Sequence, residues 1–343
     1  MIKKRCQRVA PFGAASLLVI PLLFAALSAH AQPKFPDSER VLLAEAFRTN
    51  ETMGDRVWPG WSKAPFAILL VTPEYEFLIG HPQPSAEFVS SGYDSLLRSD
   101  VLFRKRVFAT DLLATFPAVN GVPTIVIGEP QNTQAKTPTR WLITLLHEHF
   151  HQLQMSQQNY YADVHSLGLA RGDKTGMWML NFPFPYDSAE VQRQFRALCR
   201  SLSDALQSYD ETDLRSKVSA YLHRKRDFQE TLSPDEYRYF SFQLWQEGVA
   251  RYTEYRIAAL GGKEYRLSTQ FRSLKNAISL QQEADSLRSR ILSELPHLSL
   301  GKLHRVAFYT IGAAEAMLLD RVRPIWQHLY FTEKFFTEKY FGD

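Results

Sequence analysis

Between Phe66 and Gly128 the apolar residues come in short runs separated by turn formers. Phe66-Ala67-Ile68-Leu69-Leu70-Val71 and Tyr75-Glu76-Phe77-Leu78-Ile79 predict a hairpin across Thr72-Pro73-Glu74, and Thr124-Ile125-Val126-Ile127 predicts another strand. From Pro138 the period lengthens to that of a helix. Leu142, Leu145, Leu146 and Phe150 form one apolar stripe, Thr139 is a candidate N-cap, and neither Gly nor Pro interrupts the run before Met155. Helical patterns recur from Ser188 to Ser208 and from Glu211 to Glu230. A further one opens at Ser233-Pro234-Asp235-Glu236, a capping box with Pro at the first helical position, and is expected to end at Gly261-Gly262. The pattern predicts an α+β chain, in which a small mixed sheet lies over one helix and a large, mostly helical C-terminal part follows. The expected divisions are residues 1–31, 32–160, 161–232 and 233–343.

Into the apolar helix after Pro138 the sequence sets His147-Glu148-His149-Phe150-His151. Positions i and i+4 of a helix share a face about one turn apart, so His147 and His151 can grip one metal ion. Glu148 then stands beside the metal, free to act as a base, while His149 points away and serves packing or hydrogen bonding. On a strand the same letters would instead align His147, His149 and His151 on one face. A catalytic zinc ion takes three protein ligands and a water, so a third must come from elsewhere. The best candidate is Glu247 in Trp245-Gln246-Glu247-Gly248-Val249-Ala250-Arg251-Tyr252. Gly248 costs a helix about 1 kcal/mol relative to Ala, which points to another backbone or a ligand approaching closely. With Ala250 it is expected to let this helix lie against the histidine helix.

Taken together, His147-Glu148-x-x-His151 and Trp245-x-Glu247-Gly248-x-Ala250-x-Tyr252 resemble the gluzincin metallopeptidases, nearest in style to their aminopeptidases. The resemblance covers two helices. It implies a zincin-like fold, zinc held by His147, His151 and Glu247, and peptide-bond hydrolysis with Glu148 as general base. Two features depart from the family. Glu247 lies 96 positions beyond His151, a much longer gap than those enzymes have, and the Gly-Ala-Met-Glu-Asn substrate motif of the aminopeptidases is absent. Glu129, in the turn after the Thr124–Ile127 strand, is a candidate for a substrate amine, with a plain turn as the alternative. Peptide hydrolysis also needs a donor to the oxyanion. Tyr309 follows Glu247 by a gap like that of the aminopeptidases and is the candidate, with His304 and His297 behind it. Glu254, two turns after Glu247, is placed either to orient a zinc histidine or to pair with Arg251.

The amino terminus changes the meaning of the charge. Lys3, Lys4, Arg5 and Arg8 precede an apolar stretch from Phe12 to Leu27, and Ala29-His30-Ala31 offers a cleavage site before Gln32, the pattern of a secretory signal peptide. The formal net charge of +4 resides in that segment, leaving 36 basic and 36 acidic residues beyond it. That balance argues against nucleic acid as a partner, while a peptide or protein substrate is what the resemblance implies. A periplasmic or secreted location is expected, with no stable membrane anchor after cleavage. Cys199 would remain as a single cysteine, unable to form an intramolecular disulfide. The aromatic, proline-rich stretch from Gly176 to Tyr186 reads as a wall or lid over the site or as a loop sealing the core. The expectation is an exported, zinc-dependent metallopeptidase. The alternatives are a metal-binding or interaction protein that keeps the site without turnover, and a metal-dependent hydrolase of a non-peptide bond.

Overall fold

The computed structural model describes residues 33–342, and the expected signal segment falls outside them. Helix α1 (Asp37–Val57) comes first, followed by strands β1 (Ile68–Val71), β2 (Tyr75–Ile79), β3 (Val89–Asp94), β4 (Ser99–Lys105), β5 (Leu113–Val119) and β6 (Val122–Gly128). Thereafter the chain is helical: α2 (Pro138–Ser156), α3 (Tyr160–Ser166), α4 (Trp178–Asn181), α5 (Ala189–Leu206), α6 (Glu211–Glu230) and α7 (Pro234–Gln243). Helices α8 (Val249–Glu264), α9 (Thr269–Arg272), α10 (Leu280–Glu294), α11 (Leu300–Leu303), α12 (Ala307–Val322) and α13 (Gln327–Tyr330) complete it. The architecture is α+β, as the change of period predicts. Helix α1 was not anticipated, because buried Thr49 and Asn50 interrupt the apolar stripe of Leu42, Leu43, Ala46, Met53 and Val57.

The strands form one mixed sheet in the order β3-β4-β2-β1-β6-β5. The expected hairpin is present, with Leu70 opposite Phe77, and β1 also pairs in parallel with β6. Alternation divides the sheet between two cores. Ile68, Leu70, Phe77, Ile79, Ile125 and Ile127 face the helices and join a core that draws on all three expected segments of the mature chain. Leu69, Val71, Leu78 and Val126 face the other way, into a small cluster with Leu102, Phe108 and Phe116.

Helix α2 is pinned to the sheet at both ends. Trp141 Nε1 donates to the Gly128 carbonyl at 2.9 Å, while Gln152 Nε2 donates to the carbonyls of Ala67 and Pro123 at 2.8 and 3.0 Å. The helix therefore runs antiparallel to β6. It excludes the strand reading of the three histidines. Its N-cap position is Thr137 rather than Thr139, whose hydroxyl donates instead to the Ile278 carbonyl at 2.7 Å.

The capping box at Ser233 forms as expected, and α7 continues into α8 through a π turn, Leu244–Gly248. Helix α8 runs past Gly261 and Gly262 to Glu264, because these glycines make room for Leu280 and Gln281 of α10 rather than ending the helix. Gly248 also departs from expectation. The backbone it admits belongs to α12 and not to the histidine helix: a Cβ on Gly248 would stand 2.5 Å from Gly312 Cα, and one on Gly312 would stand 2.7 Å from Gly248 Cα. Helix α12 is fixed from behind by buried Lys225 of α6, whose Nζ donates to Glu315 at 2.6 Å and to Thr337 at 3.2 Å. Cys199 is buried and unpaired in α5. Because neither backbone at the glycine crossing can yield by rotating a side chain, Gly312→Ala should destabilise the protein by about 1–3 kcal/mol. Chemical denaturation checks this, and a midpoint equal to the parent's would contradict the close crossing.

Candidate metal centre

Two histidines one helical turn apart on α2 and a carboxylate on the π turn meet in the interior. His147 Nε2 and His151 Nε2 are 3.2 Å apart, and Glu247 Oε2 lies 3.7 Å from the first and 3.5 Å from the second. A tetrahedral ion with bonds of about 2.0–2.1 Å needs ligand atoms roughly 3.3 Å apart, so the triangle is of the right size. Among the described residues this trio is the one group of at least three His, Cys, Asp or Glu side chains close enough to hold an ion. Three lone pairs converging on one point repel unless a proton or a cation lies between them. The donor set therefore fits a metal.

The surroundings fix which ring nitrogen carries the proton. Gln154 Nε2 faces oxygens, the Gln246 carbonyl at 3.1 Å and the Tyr330 hydroxyl at 2.6 Å. Its Oε1 is then the atom 2.6 Å from His151 Nδ1; this short contact favours Nδ1 as the donor and leaves Nε2 its lone pair, against the longer 3.2 Å approach of the Gln246 side-chain Nε2 to the same nitrogen. Tyr330 in turn donates to the Trp245 carbonyl at 2.6 Å, so the π turn and the histidine share one network. For His147 the same part falls to Glu254, whose Oε1 is 2.8 Å from Nδ1, a short contact lying off the axis of the ring N–H. Glu254 is thus buried rather than a surface partner, although it does also meet Arg251 at 3.3 Å and Arg140 at 3.1 Å. Burial opposes its charge, but these two guanidinium groups hold its carboxyl well below the usual carboxylate range. Burial likewise disfavours a charged His147, yet Glu247 and Glu254 outweigh it and push the imidazole up to about 9. Burial also works against the Glu247 carboxylate, which His151 and His147 nonetheless hold well below its ordinary value.

Glu148 is buried beside the trio but outside it. The Thr115 hydroxyl, on β5, lies 2.8 Å from Glu148 Oε2 and 3.0 Å from its carbonyl oxygen, so its single proton can serve either. Tyr309 of α12 reaches the same place. Its hydroxyl accepts a hydrogen bond from Arg305 NH1 at 2.6 Å, while burial, followed by the nearby Glu247 charge, raises its pKa above the ordinary phenol value. His149 points away as expected, stacked on Phe66 with ring centroids 3.6 Å apart and its Nδ1 2.9 Å from Gln152 Oε1. Glu129 turns toward Asn132 and the charge of Glu39. His297 and His304 are exposed, the latter stacked on Tyr186. The Gly176–Tyr186 stretch seals the core as in one of its two readings: Phe182 and Phe184 are buried against Tyr239 and Phe308, and Tyr186 stacks on His304.

Thr115, Gln154, Arg140 and Arg305 were not singled out from the sequence. Gln154 stands one turn after His151 and Arg305 one turn before Tyr309, spacings that could have drawn attention to them. No local signal marks Thr115, which meets Glu148 only through the packing of sheet on helix.

Glu247→Ala and His151→Ala should each weaken binding of a divalent metal by well over tenfold, and Glu254→Gln by about 10–100-fold. In the metal-free protein an ion must displace the proton held on His147 at any pH below about 9, so affinity should rise with pH through neutrality, with protons released on binding. Calorimetric titration in buffers of different ionisation enthalpy measures both effects. An ion retained by Glu247→Ala with unchanged affinity would remove Glu247 from the site.

Compared with models of known protein families, with characterised proteins and with solved structures, the chain matches none.

Proposed function

We propose that the chain is a zinc-dependent metallopeptidase of gluzincin type, with a zincin-like arrangement of sheet over active-site helix. One observation carries the reading: two imidazole Nε2 atoms and a carboxylate oxygen converge at tetrahedral spacing, with Glu148 buried beside them and free of the trio. Two nitrogens and one oxygen form the ligand set of His₂Glu zinc hydrolases. Bound there, zinc supplies a Lewis acid that lowers the pKa of a water toward neutrality. The remaining work belongs to side chains. Glu148 takes the proton of the attacking water and returns it to the leaving amine, while the Thr115 hydroxyl holds its carboxylate in place. Tyr309 keeps its phenolic proton, because burial and the Glu247 charge oppose ionisation. Arg305 donates to its oxygen, so the proton, which faces Glu247, would have to turn toward the developing oxyanion.

The sheet supports a peptide as the substrate. Strand β5 ends the sheet, and Thr115 of β5 touches Glu148, so an extended chain adding along this edge would pass beside the base. The amino-terminal signal pattern adds that the enzyme works outside the cytoplasm.

Turnover of a peptide library by the zinc-loaded protein tests the proposal, with chelation expected to abolish activity and zinc to restore it. Glu148→Gln keeps the shape of the side chain but removes the base. It should fold, bind zinc and lose on the order of a hundredfold or more in rate. Tyr309→Phe should retain zinc and lose about 3 kcal/mol of transition-state stabilisation at most. A Glu148→Gln protein as fast as the parent would rule out the mechanism.

A further inference from the structure

We propose that Arg305 receives a carboxylate of the substrate, so that the site prefers peptides carrying a negative charge close to the scissile bond. The inference rests on the metallopeptidase reading and narrows its substrate class. Arg305 is half-buried in the short turn just before α12, and its hydrogen bond is to Tyr309. Several other partly buried arginines meet carboxylates: Arg40 pairs with Asp94, Arg104 with Glu76, and Arg140 with Glu254 and Glu283, whereas Arg323 meets the Tyr340 carbonyl. Arg251, which flanks the same Tyr309 ring, pairs with Glu254. Among the described residues no carboxylate comes within ion-pairing distance of Arg305, and Glu247 attracts it only from farther off.

Orienting Tyr309 does not account for this residue. A guanidinium has five N–H donors in a planar fork, and Tyr309 takes one. The others remain available in a geometry that matches a carboxylate bidentately. Position selects the ligand further. The Tyr309 hydroxyl accepts from Arg305 and lies near enough to the proposed ligand Glu247 to feel its charge, which places the guanidinium on the Tyr309 side of the trio. A residue spans at most about 3.3–3.6 Å, which puts a carboxylate on Arg305 on the order of one or two residues from a carbonyl held at Tyr309. Tyr186 and Tyr239, both close to Arg305, give that region an aromatic wall. The free carboxylate at a peptide's C-terminus and the side chain of an Asp or Glu beside the cleaved bond offer the same chemistry.

Matched peptides separate these sources and test the inference. One pair differs only in a free or amidated C-terminus one or two residues beyond the cleaved bond. The other has an amidated terminus and differs by Glu or Gln at that position. The zinc-loaded parent should favour the acid of at least one pair by ten- to a hundredfold in kcat/KM, and the pair that responds identifies the source. Arg305→Gln should bring that ratio close to one, whereas Arg305→Lys should keep part of it. A ratio near one for both pairs in the parent overturns the inference while leaving the peptidase intact, and so does an Arg305→Gln enzyme with the parent's ratio. If the parent cleaves no peptide, the metallopeptidase reading falls and takes this inference with it. The parent's ratios need no variant, so a misfolded Arg305→Gln would not rescue the idea.

Discussion

A carboxylate from the far part of the chain can stand within about 4 Å of two buried imidazoles only if the backbones carrying them are locked together, and the π turn supplies the lock. A π turn widens the helix and disturbs its carbonyl ladder, and buried carbonyls left without donors cost about 1–3 kcal/mol each. Here Tyr330 donates to the Trp245 carbonyl and Gln154 to the Gln246 carbonyl. Gln154 is also the residue that orients His151. The repair of the distorted helix and the orientation of the metal ligand are therefore one hydrogen-bond network. On the opposite side, the contact of Gly248 with Gly312 sets how close α12 comes, and with it the position of Tyr309.

Charge compensation extends outward from the trio. A buried ion pair is stable only where its remaining lone pairs and protons find partners. Glu254 meets His147 with one oxygen and Arg140 and Arg251 with the other, and Arg140 continues to Glu283 on α10. Helices α2, α8 and α10 are thus joined by alternating charge, and the imidazole is turned as a result. Arg305 stands outside this chain of pairs, and its hydrogen bond goes to Tyr309 instead.

Much of this was legible in the sequence wherever a feature is local. Helix α6 begins and ends at Glu211 and Glu230 as its pattern predicts, the Ser233 capping box forms, and the spacing of His147 and His151 fixes their shared face. Glu247 could be nominated across 96 positions because its neighbours, Gly248 above all, are unusual in a helix. The partner of that glycine was not readable. A glycine announces that something comes close without saying what, and Gly312 lies on a helix with its own reasons for small residues. The π turn has no composition of its own, and Thr115 belongs to a strand containing Pro117 whose register shifts between Phe116 and Val119, which hides its alternation.

The groups that the proposed hydrolysis would use come from separate layers. The sheet holds the candidate base through Thr115, α2 and the π turn hold the three candidate ligands, and α12 brings Tyr309 with Arg305 in the short turn just before it. Glu148 belongs to the same helix as His147 and His151, so the candidate base and the two candidate ligands cannot drift apart unless α2 unwinds. The donor to the oxyanion is a different matter, because it reaches the centre only through the packing of α12. Loss of the glycine crossing would therefore displace Tyr309 while leaving His147, Glu148 and His151 in register. Under the proposed mechanism, metal binding and transition-state stabilisation would therefore depend on different contacts.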